Sequence, residues 1–263
     1  STQAPTTEVP VTQAPITLPP VPAPAASTVT DLLALGRPIV LAHASGEMTH
    51  PHSSLFGFSE AARMGVDVLD VDVQSTSDGV LVIHHDLDTG KTAKEDLVLL
   101  EYTYDELHAL DNAYWFTANC TCTDQPEADY IYRGIRTGDK PAPAGYVAED
   151  FAINSLEALM QLYPDYVLNI EIKDEGDAAK ASADALIELL TKYDAFGRVV
   201  VASFDDTVVD YFHEKQPNVV MSPGQTAMVS FFLGGVSLPD WLYIVQIPPT
   251  YDGLTLFTPE YVA

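Results

Sequence analysis

The chain alternates short apolar runs with segments of helical length, and this alternation constrains its fold more than any other feature. Strands are predicted where Val, Leu and Ile cluster, at residues 38–43, 66–74, 80–86, 166–173, 198–204, 218–222 and 242–247. Helices are predicted between them, at residues 55–64, 155–162, 178–192 and 207–215. Strands that alternate with helices are typical of a parallel sheet covered by helices, so we expect an α/β fold.

The length of the chain suits a single barrel. It has 263 residues, 47% of them hydrophobic, and a barrel of eight β/α units takes about 250 residues. Seven strands are predicted, and the last residues, from Thr258 and Pro259 onward, have the pattern of a helix start. We therefore expect a (β/α)8 TIM-type barrel that is truncated before its last strand.

Two segments depart from the barrel pattern. Residues 1–28 are rich in Thr, Pro and Ala, and are predicted to be a disordered tether ahead of a barrel domain at residues 29–263. Residues from about 88 to 150 form an insertion after the third strand, placed to cap the barrel mouth. The tether and the absence of an initial Met suggest export, so we expect an extracellular, periplasmic or cell-surface tethered protein. No apolar segment approaches the roughly 20 residues that span a membrane.

The charge balance limits the classes of partner. The chain carries 38 Asp and Glu against 12 Lys and Arg, for a formal net charge of −26. Such a surface repels nucleic acid and anionic membranes, so neither is expected as a partner. It also repels anionic substrates, which favours a bound cation at the site if the substrate carries phosphate.

The two cysteines are separated by one residue, as Cys120 and Cys122. A pair of this kind supplies too few ligands for a structural zinc ion. A local disulfide in an oxidising compartment and two free loop thiols both remain open.

Charged side chains interrupt two predicted strands at alternate positions. Asp70 and Asp72 project to the same face, because successive strand residues point to opposite faces. Glu171 and Lys173 repeat this spacing in the fourth predicted strand. Unpaired carboxylates are costly to bury among Val and Leu side chains. These acids therefore differ from ordinary acidic residues on a solvated surface. Acids at strand ends are what a metal-assisted hydrolase on a parallel barrel needs.

Histidines end two of the other predicted strands. His43 follows the first apolar run and His85 follows the third. Imidazoles beside such acids indicate general acid–base chemistry. The neighbouring His84 points the opposite way from His85, so we expect it to be structural.

Taken in order, these motifs resemble the glycerophosphodiester phosphodiesterase family. They are His43-Ala44, Asp70-Val-Asp72, His85-Asp86 and Glu171-Ile-Lys173, and the similarity extends from Ile39 to the C-terminus. The family carries His-Arg, Glu-x-Asp, His-Asp and Glu-x-Lys at these places. Four motifs in order, each on its expected strand, form a fairly specific signal.

The chain departs from the family at four positions. Ala44 replaces an Arg that could bind phosphate oxygens with two hydrogen bonds. His52, in Pro-His-Ser-Ser, replaces the acid of Pro-Glu-Asn-Thr, and Asp70 replaces a Glu. Lys91 keeps a positive charge in place of Arg in an otherwise changed Asp-Arg-Thr-Thr motif. These changes concern phosphate affinity and substrate identity more than metal binding.

The resemblance implies a phosphoric diester hydrolase of lipid and glycerol metabolism. It would cleave small glycerophosphodiesters to glycerol 3-phosphate and an alcohol, with one divalent cation, Ca²⁺ or Mg²⁺, as cofactor. The implied roles are catalysis for His43 and His85, metal binding for Asp70, Asp72 and Glu171, and substrate binding for Lys173, Lys91 and His52. Two alternatives remain: a phospholipase D-like enzyme acting on intact lipids, and a catalytically weakened binding protein on the same barrel.

Overall fold

The computed structural model describes residues 20–120, 122–251, 253–256 and 258 of the chain. Its strands are β1 (Leu41–Ala42), β2 (Val68–Ser75), β3 (Leu81–Ile83), β4 (Val167–Ile172), β5 (Val199–Ala202), β6 (Val220–Met221), β7 (Thr250–Tyr251) and β8 (Leu254–Thr255). Its helices are α1 (Val29–Leu33), α2 (Leu55–Arg63), α3 (Tyr104–His108), α4 (Leu156–Leu162), α5 (Gly176–Lys192), α6 (Asp206–Lys215) and α7 (Gln225–Gly234). In this part of the chain, every helix is too short or too polar to cross a membrane.

Within the described residues, five parallel strands in the order β1-β2-β4-β5-β6 make up most of a six-stranded sheet, whose sixth strand is β3. The predicted helices are found between them as α2, α4, α5 and α6. Local caps fix where these helices begin: the Ser54 hydroxyl accepts a hydrogen bond from Gly57 N at 3.0 Å, and Ser155 does the same for Ala158 N at 3.2 Å. This part of the chain is thus an open portion of a β/α barrel.

The outer face of the sheet holds the main core. Leu69, Val71 and Val73 of β2 pack in one buried cluster with Leu186 and Leu190 of α5. Burying each such side chain contributes about 1.5–3 kcal/mol. This face fixes the strands, so the inner face can carry polar residues.

The inner face changes from apolar to polar along the strands. Its first layer consists of Val68, Val167 and Val200, which pack against Ala26 and against Val29 and Leu32 of α1. Because side chains alternate along a strand, the next inner positions are Asp70 and Asn169, followed by Asp72 and Glu171. One end of the inner face is therefore closed by apolar side chains, and the other presents charge.

The chain contacts the barrel before residue 28, the boundary that composition suggested. Val21 packs against the main core, and the Tyr166 hydroxyl donates a hydrogen bond to Pro22 O at 3.2 Å. Residues 1–19 of the predicted tether lie outside the described residues. The prediction of a disordered tether is untested there.

The third predicted strand runs in a different direction from the one expected. β3 pairs antiparallel with β2, with Val73 opposite Ile83 and Ser75 opposite Leu81. The connection between these strands is too short for a parallel crossover, which needs a dozen or more residues. The reversal carries the end of β3 back along β2, where His84 N donates a hydrogen bond to Asp72 O at 3.0 Å.

The C-terminal part differs most from the prediction. α7 was not predicted, and residues 242–247 form no strand. Gln246 in that segment instead exchanges two side-chain hydrogen bonds with Asn169, at 2.7 and 3.1 Å, so its pairing is through amides rather than a backbone ladder. Most of the helix predicted after Thr258 lies outside the described residues.

Candidate active site

Two neighbouring strands bring the predicted carboxylates onto one face. Asp70 on β2 lies beside Asn169 on β4, and Asp72 lies beside Glu171, in one parallel register. Asp72 and Glu171 lie in the C-terminal halves of their strands, toward the end where parallel barrels carry their active sites, and Asp70 and Asn169 lie one inner layer before them. The structure therefore joins acids from two separate parts of the sequence.

Lys173 follows β4, and its ammonium contacts two of these carboxylates. Its Nζ is 3.3 Å from Asp72 Oδ1 and 2.9 Å from Glu171 Oε1. Burial alone would lower the pKa of Lys173, but the two carboxylates together outweigh burial and raise it. The lysine is therefore a fixed positive charge at the mouth of the barrel.

The carboxylates still carry more negative charge than this lysine can balance. Burial raises the pKa of Asp70, Asp72 raises it further, and a 2.5 Å hydrogen bond from Asn169 Nδ2 opposes the shift. Burial also raises the pKa of Glu171, although Lys173 acts in the opposite direction. Three acids share one ammonium, so the cluster is short of positive charge.

The acids are the type of ligand that a hard divalent cation prefers, but their side chains do not surround a common point. Carboxylate oxygens are ligands that Ca²⁺ and Mg²⁺ prefer, and Asp70, Asp72 and Glu171 lie on one face. Within the described residues, however, no three His, Cys, Asp or Glu side chains group closely enough to hold an ion. Lys173 lies between Asp72 and Glu171 in this arrangement, and Asp70 is bonded to Asn169.

His43 begins a 3₁₀ turn, residues 43–45, directly after β1. Its Nδ1 is 3.3 Å from Glu47 Oε1, and most of its side chain is exposed. Ala44 and Ser45 both have positive φ, at 43° and 69°. Such backbone costs energy for residues other than glycine, and it is most common at functional sites.

His85 lies just after β3 and is paired with its neighbour in sequence. Its Nδ1 is 2.9 Å from Asp86 Oδ1, and Lys91 Nζ is 2.8 Å from Asp86 Oδ2. Burial would raise the pKa of Asp86, but the hydrogen bonds from Lys91 and His85 outweigh it and lower the pKa. His84 is buried, with Nδ1 2.9 Å from Asp86 O and Nε2 3.1 Å from Thr92 Oγ1, a structural environment.

His52 lies between the other two predicted site histidines. Its ring meets the His85 ring edge-on, with centroids 5.8 Å apart, and its Nε2 is 3.6 Å from Glu47 Oε2. Burial, together with the nearby histidines, lowers the pKa of His52 to about 3. His52 is therefore a neutral hydrogen-bonding group at the site.

The insertion forms one wall of a cavity of 370 Å³ around these groups. The cavity is lined by histidines and charged side chains on one side and by insertion residues on the other, including His52, His85, Lys91, Trp115, Phe116 and Cys120. Trp115 also packs edge-on against Tyr130, at 5.5 Å between centroids. Cys120 and Cys122 form a disulfide. Of the two alternatives that the sequence left open, a local disulfide and two free thiols, the structure has the first.

A second cavity, of 300 Å³, opens beside the acidic cluster. Glu171 lines it together with mostly apolar side chains from α7 and the segments around it, including Phe204, Met228, Val229, Phe232 and Ile247. Sequence reasoning missed this cavity, and it also missed Glu47 and Asn169. Asn169 could have been found, because it lies two residues before Glu171 and so shares its face.

Comparison with known proteins decides the family. Residues 43–228 match the glycerophosphoryl diester phosphodiesterase family, a range that contains every predicted site residue. The chain belongs to this family.

Among its relatives is a glycerophosphodiester phosphodiesterase of Caldanaerobacter subterraneus, 25% identical over 64% of this chain and 59% of the relative. The Bacillus subtilis glycerophosphodiester phosphodiesterase is 24% identical over 74% of this chain and 62% of the relative. The chain thus spans about six-tenths of the length of these curated relatives.

Solved structures show the same barrel fold. The glycerophosphoryl diester phosphodiesterase domain of a Mycobacterium tuberculosis protein has a TM-score of 0.57 at 19% identity, covering 75% of this chain and 63% of that one. A phosphodiesterase of Oleispira antarctica has a TM-score of 0.53 at 20% identity, covering 70% of this chain and 65% of that one. The expectation of a TIM-type barrel is confirmed for this family member.

Proposed function

We propose that the chain hydrolyses small glycerophosphodiesters to glycerol 3-phosphate and an alcohol. The observation that carries the proposal is the pairing of His85 with Asp86, whose second oxygen contacts Lys91, beside His52 in the same cavity. A carboxylate on Nδ1 fixes the tautomer of an imidazole and leaves Nε2 to exchange protons with a substrate. The family match supports this activity, and the Oleispira antarctica phosphodiesterase was solved with the product sn-glycerol-3-phosphate.

The proposed reaction divides the work between two histidines. One of His43 and His85 takes a proton from the attacking water, whose oxygen bonds to phosphorus. The other gives a proton to the alkoxide as its bond to phosphorus breaks. In this proposal Lys173 and Lys91 stabilise the negative charge on the remaining phosphate oxygens.

We further propose that one divalent cation, Ca²⁺ or Mg²⁺, is held by Asp70, Asp72 and Glu171. Bound there, it would add positive charge next to the phosphate oxygens. The support is chemical: three oxygen donors lie on one face, and one lysine leaves them short of positive charge. His52 and Lys91 would then bind substrate from the insertion side of the cavity.

The proposed location is outside the cytoplasm, in an extracellular, periplasmic or cell-surface setting. The disulfide between Cys120 and Cys122 supports it, because disulfides persist mainly in oxidising compartments. A thiol reagent applied to the denatured, unreduced chain isolated from its native source should find no free thiol. Two reactive thiols per chain would remove this support.

The test of the activity is release of glycerol 3-phosphate from glycerophosphocholine, with and without EDTA. We expect turnover that EDTA abolishes and Ca²⁺ or Mg²⁺ restores. The variant H85A should lose turnover, whereas E214A, which alters an exposed acid on α6, should keep it. A chain that binds the cation and releases no glycerol 3-phosphate would be a binding protein instead.

The apolar cavity beside Glu171 favours a second candidate, a phospholipase D-like reaction on a substrate that keeps an acyl chain. An acyl chain could occupy the cavity while the phosphate lies at the acidic cluster. Comparing kcat/KM for lysophosphatidylcholine and glycerophosphocholine decides between the two. If the lipid is the substrate, V229D should lower only lipid turnover, because Val229 lines the cavity and is 38% exposed.

A further inference from the structure

Glu47 lies between two of the site histidines and has no role in the reaction described so far. Its Oε1 is 3.3 Å from His43 Nδ1, and its Oε2 is 3.6 Å from His52 Nε2. The side chain is 30% exposed and lines the same cavity as His85 and Lys91. One carboxylate therefore contacts two imidazoles at the place where substrate would bind.

The loop that carries Glu47 is held firmly by its own hydrogen bonds and by its neighbours. Gly46 N donates to His43 O at 2.7 Å, and Asn119 N of the insertion donates to Met48 O at 2.8 Å. At the far end of the loop, Asn112 Nδ2 donates to His52 O at 2.9 Å. The backbone that carries Glu47 is thus fixed by bonds within the loop and with the insertion.

The two proposed catalytic histidines have matching surroundings. Asp86 contacts His85 at Nδ1, and Glu47 contacts His43 at Nδ1. A carboxylate beside Nδ1 favours the tautomer of the neutral ring that has its proton on Nδ1 and its lone pair on Nε2. The Asp86 contact is a hydrogen bond and the Glu47 contact is an ion-pair distance, but each carboxylate lies at Nδ1 of its histidine.

His52 stands where the family motif Pro-Glu-Asn-Thr has an acid, and Glu47 lies beside it. The Nδ1 of His52 is 2.7 Å from Ser53 Oγ. If the serine hydroxyl donates to Nδ1, the ring proton is on Nε2, the atom that lies 3.6 Å from Glu47 Oε2. At this part of the site the acid is therefore at position 47 rather than at position 52.

We propose that Glu47 is a positioning residue that fixes His43 and His52 in single tautomers and so takes over from the acid replaced at position 52. The inference rests on the proposed hydrolysis for its catalytic meaning. The effect of Glu47 on the histidine tautomers can be tested without measuring turnover.

The first experiment reads the tautomers directly by NMR of the chain with 15N-labelled histidine, at a pH where the rings are neutral. We expect His43 to carry its proton on Nδ1 in the wild type and in E47Q, whose amide oxygen still accepts a hydrogen bond. E47A should lose this preference, and the control E214A should keep it. An unchanged His43 tautomer in E47A would overturn the proposal.

The second experiment measures turnover of glycerophosphocholine. E47A should lower kcat about 10- to 100-fold with little change in KM, with E47Q between it and the wild type. A rise in kcat/KM for E47A would overturn the proposal, because it would mean that Glu47 only repels the anionic substrate. An inactive wild type whose tautomer still depends on Glu47 would overturn the proposed hydrolysis and support the positioning.

An exchange variant tests the link between the two positions. E47H/H52E returns the acid to position 52 and keeps one carboxylate facing one imidazole. We expect its kcat to exceed that of H52E alone, in which two carboxylates would face each other. If the effects of E47H and H52E simply add in the double variant, the two positions are not coupled and Glu47 does not take over from the acid replaced at position 52.

Discussion

Asp72 on β2 lies beside Glu171 on β4, and the ammonium of Lys173 contacts both carboxylates, at 3.3 and 2.9 Å. Neighbours in a parallel register share a face, so two strands distant in sequence combine their acids without any loop. The pairing places a positive charge between the carboxylates to which we assign a divalent cation. The effect of Lys173 on cation binding can therefore be measured.

The variant K173M should destabilise the chain by about 3 kcal/mol, because it leaves two largely buried carboxylates without their partner. Ca²⁺ or Mg²⁺ should raise the melting temperature of K173M more than that of the wild type, since the cation would no longer compete with the ammonium. Thermal unfolding with EDTA and with each cation measures both effects. K192M, which removes an exposed ion pair with Glu157, is the control. Equal responses of K173M and wild type to the cations would contradict the assignment of the metal ligands.

Asp174 should make stability depend on pH through its burial. It is 2% exposed, and its Oδ2 accepts hydrogen bonds from Ser75 N at 2.8 Å and from the Ser182 hydroxyl. Burial raises its pKa, so the folded carboxyl holds its proton more tightly than the unfolded one. Its contribution to stability is therefore full below the unfolded pKa and is lost as pH rises through the folded pKa.

The variant D174N should accordingly gain stability relative to wild type as the pH is raised from about 4 to about 7. D174A should be less stable than D174N by about 1–3 kcal/mol, because Ser75 N and Ser182 lose their acceptor. Urea unfolding across this pH range provides the free energies. The exposed D210N serves as control, and a D174N curve parallel to wild type would refute the prediction.

His52 should stay neutral throughout the physiological range. Burial and the nearby histidines lower its pKa to about 3, so its ring proton signals should not shift between about pH 5 and pH 8. The stability that comes from neutral His52 is complete above the unfolded pKa of 6.5 and is lost as pH falls toward 3. H52Q should therefore be less sensitive to acid than wild type. A His52 signal that titrates near pH 6.5 would contradict this.

The alternation of side chains along β2 and β4 was predictable, and it placed Asp70, Asp72, Glu171 and Lys173 on one face. His84 is buried with both ring nitrogens bonded, as a structural residue would be, but it lines the same cavity as His85. The opposite orientation that alternation predicted does not hold, because β3 ends at Ile83, before both histidines. The direction of β3 was not predicted, although the short connection after β2 already excluded a parallel crossover.

The contacts of Glu47 were beyond prediction, because they depend on loop backbone with positive φ at Ala44, Ser45 and Ser53. None of these residues is a glycine, so the sequence does not predict the positive φ of the turn. α7 was missed for another reason: its residues are apolar nearly all round, which leaves no one-sided stripe to recognise.

The most direct test of the two-histidine reaction compares glycerophosphocholine with a diester of glycerol 3-phosphate and p-nitrophenol, whose leaving group needs no proton. On glycerophosphocholine, H43A and H85A should each lose about 10²- to 10⁴-fold in kcat. The activated diester should restore turnover in one variant, the one that lost the acid, and leave the other impaired. Near-wild-type turnover of glycerophosphocholine by either variant, or equal impairment of both on the two substrates, would contradict it.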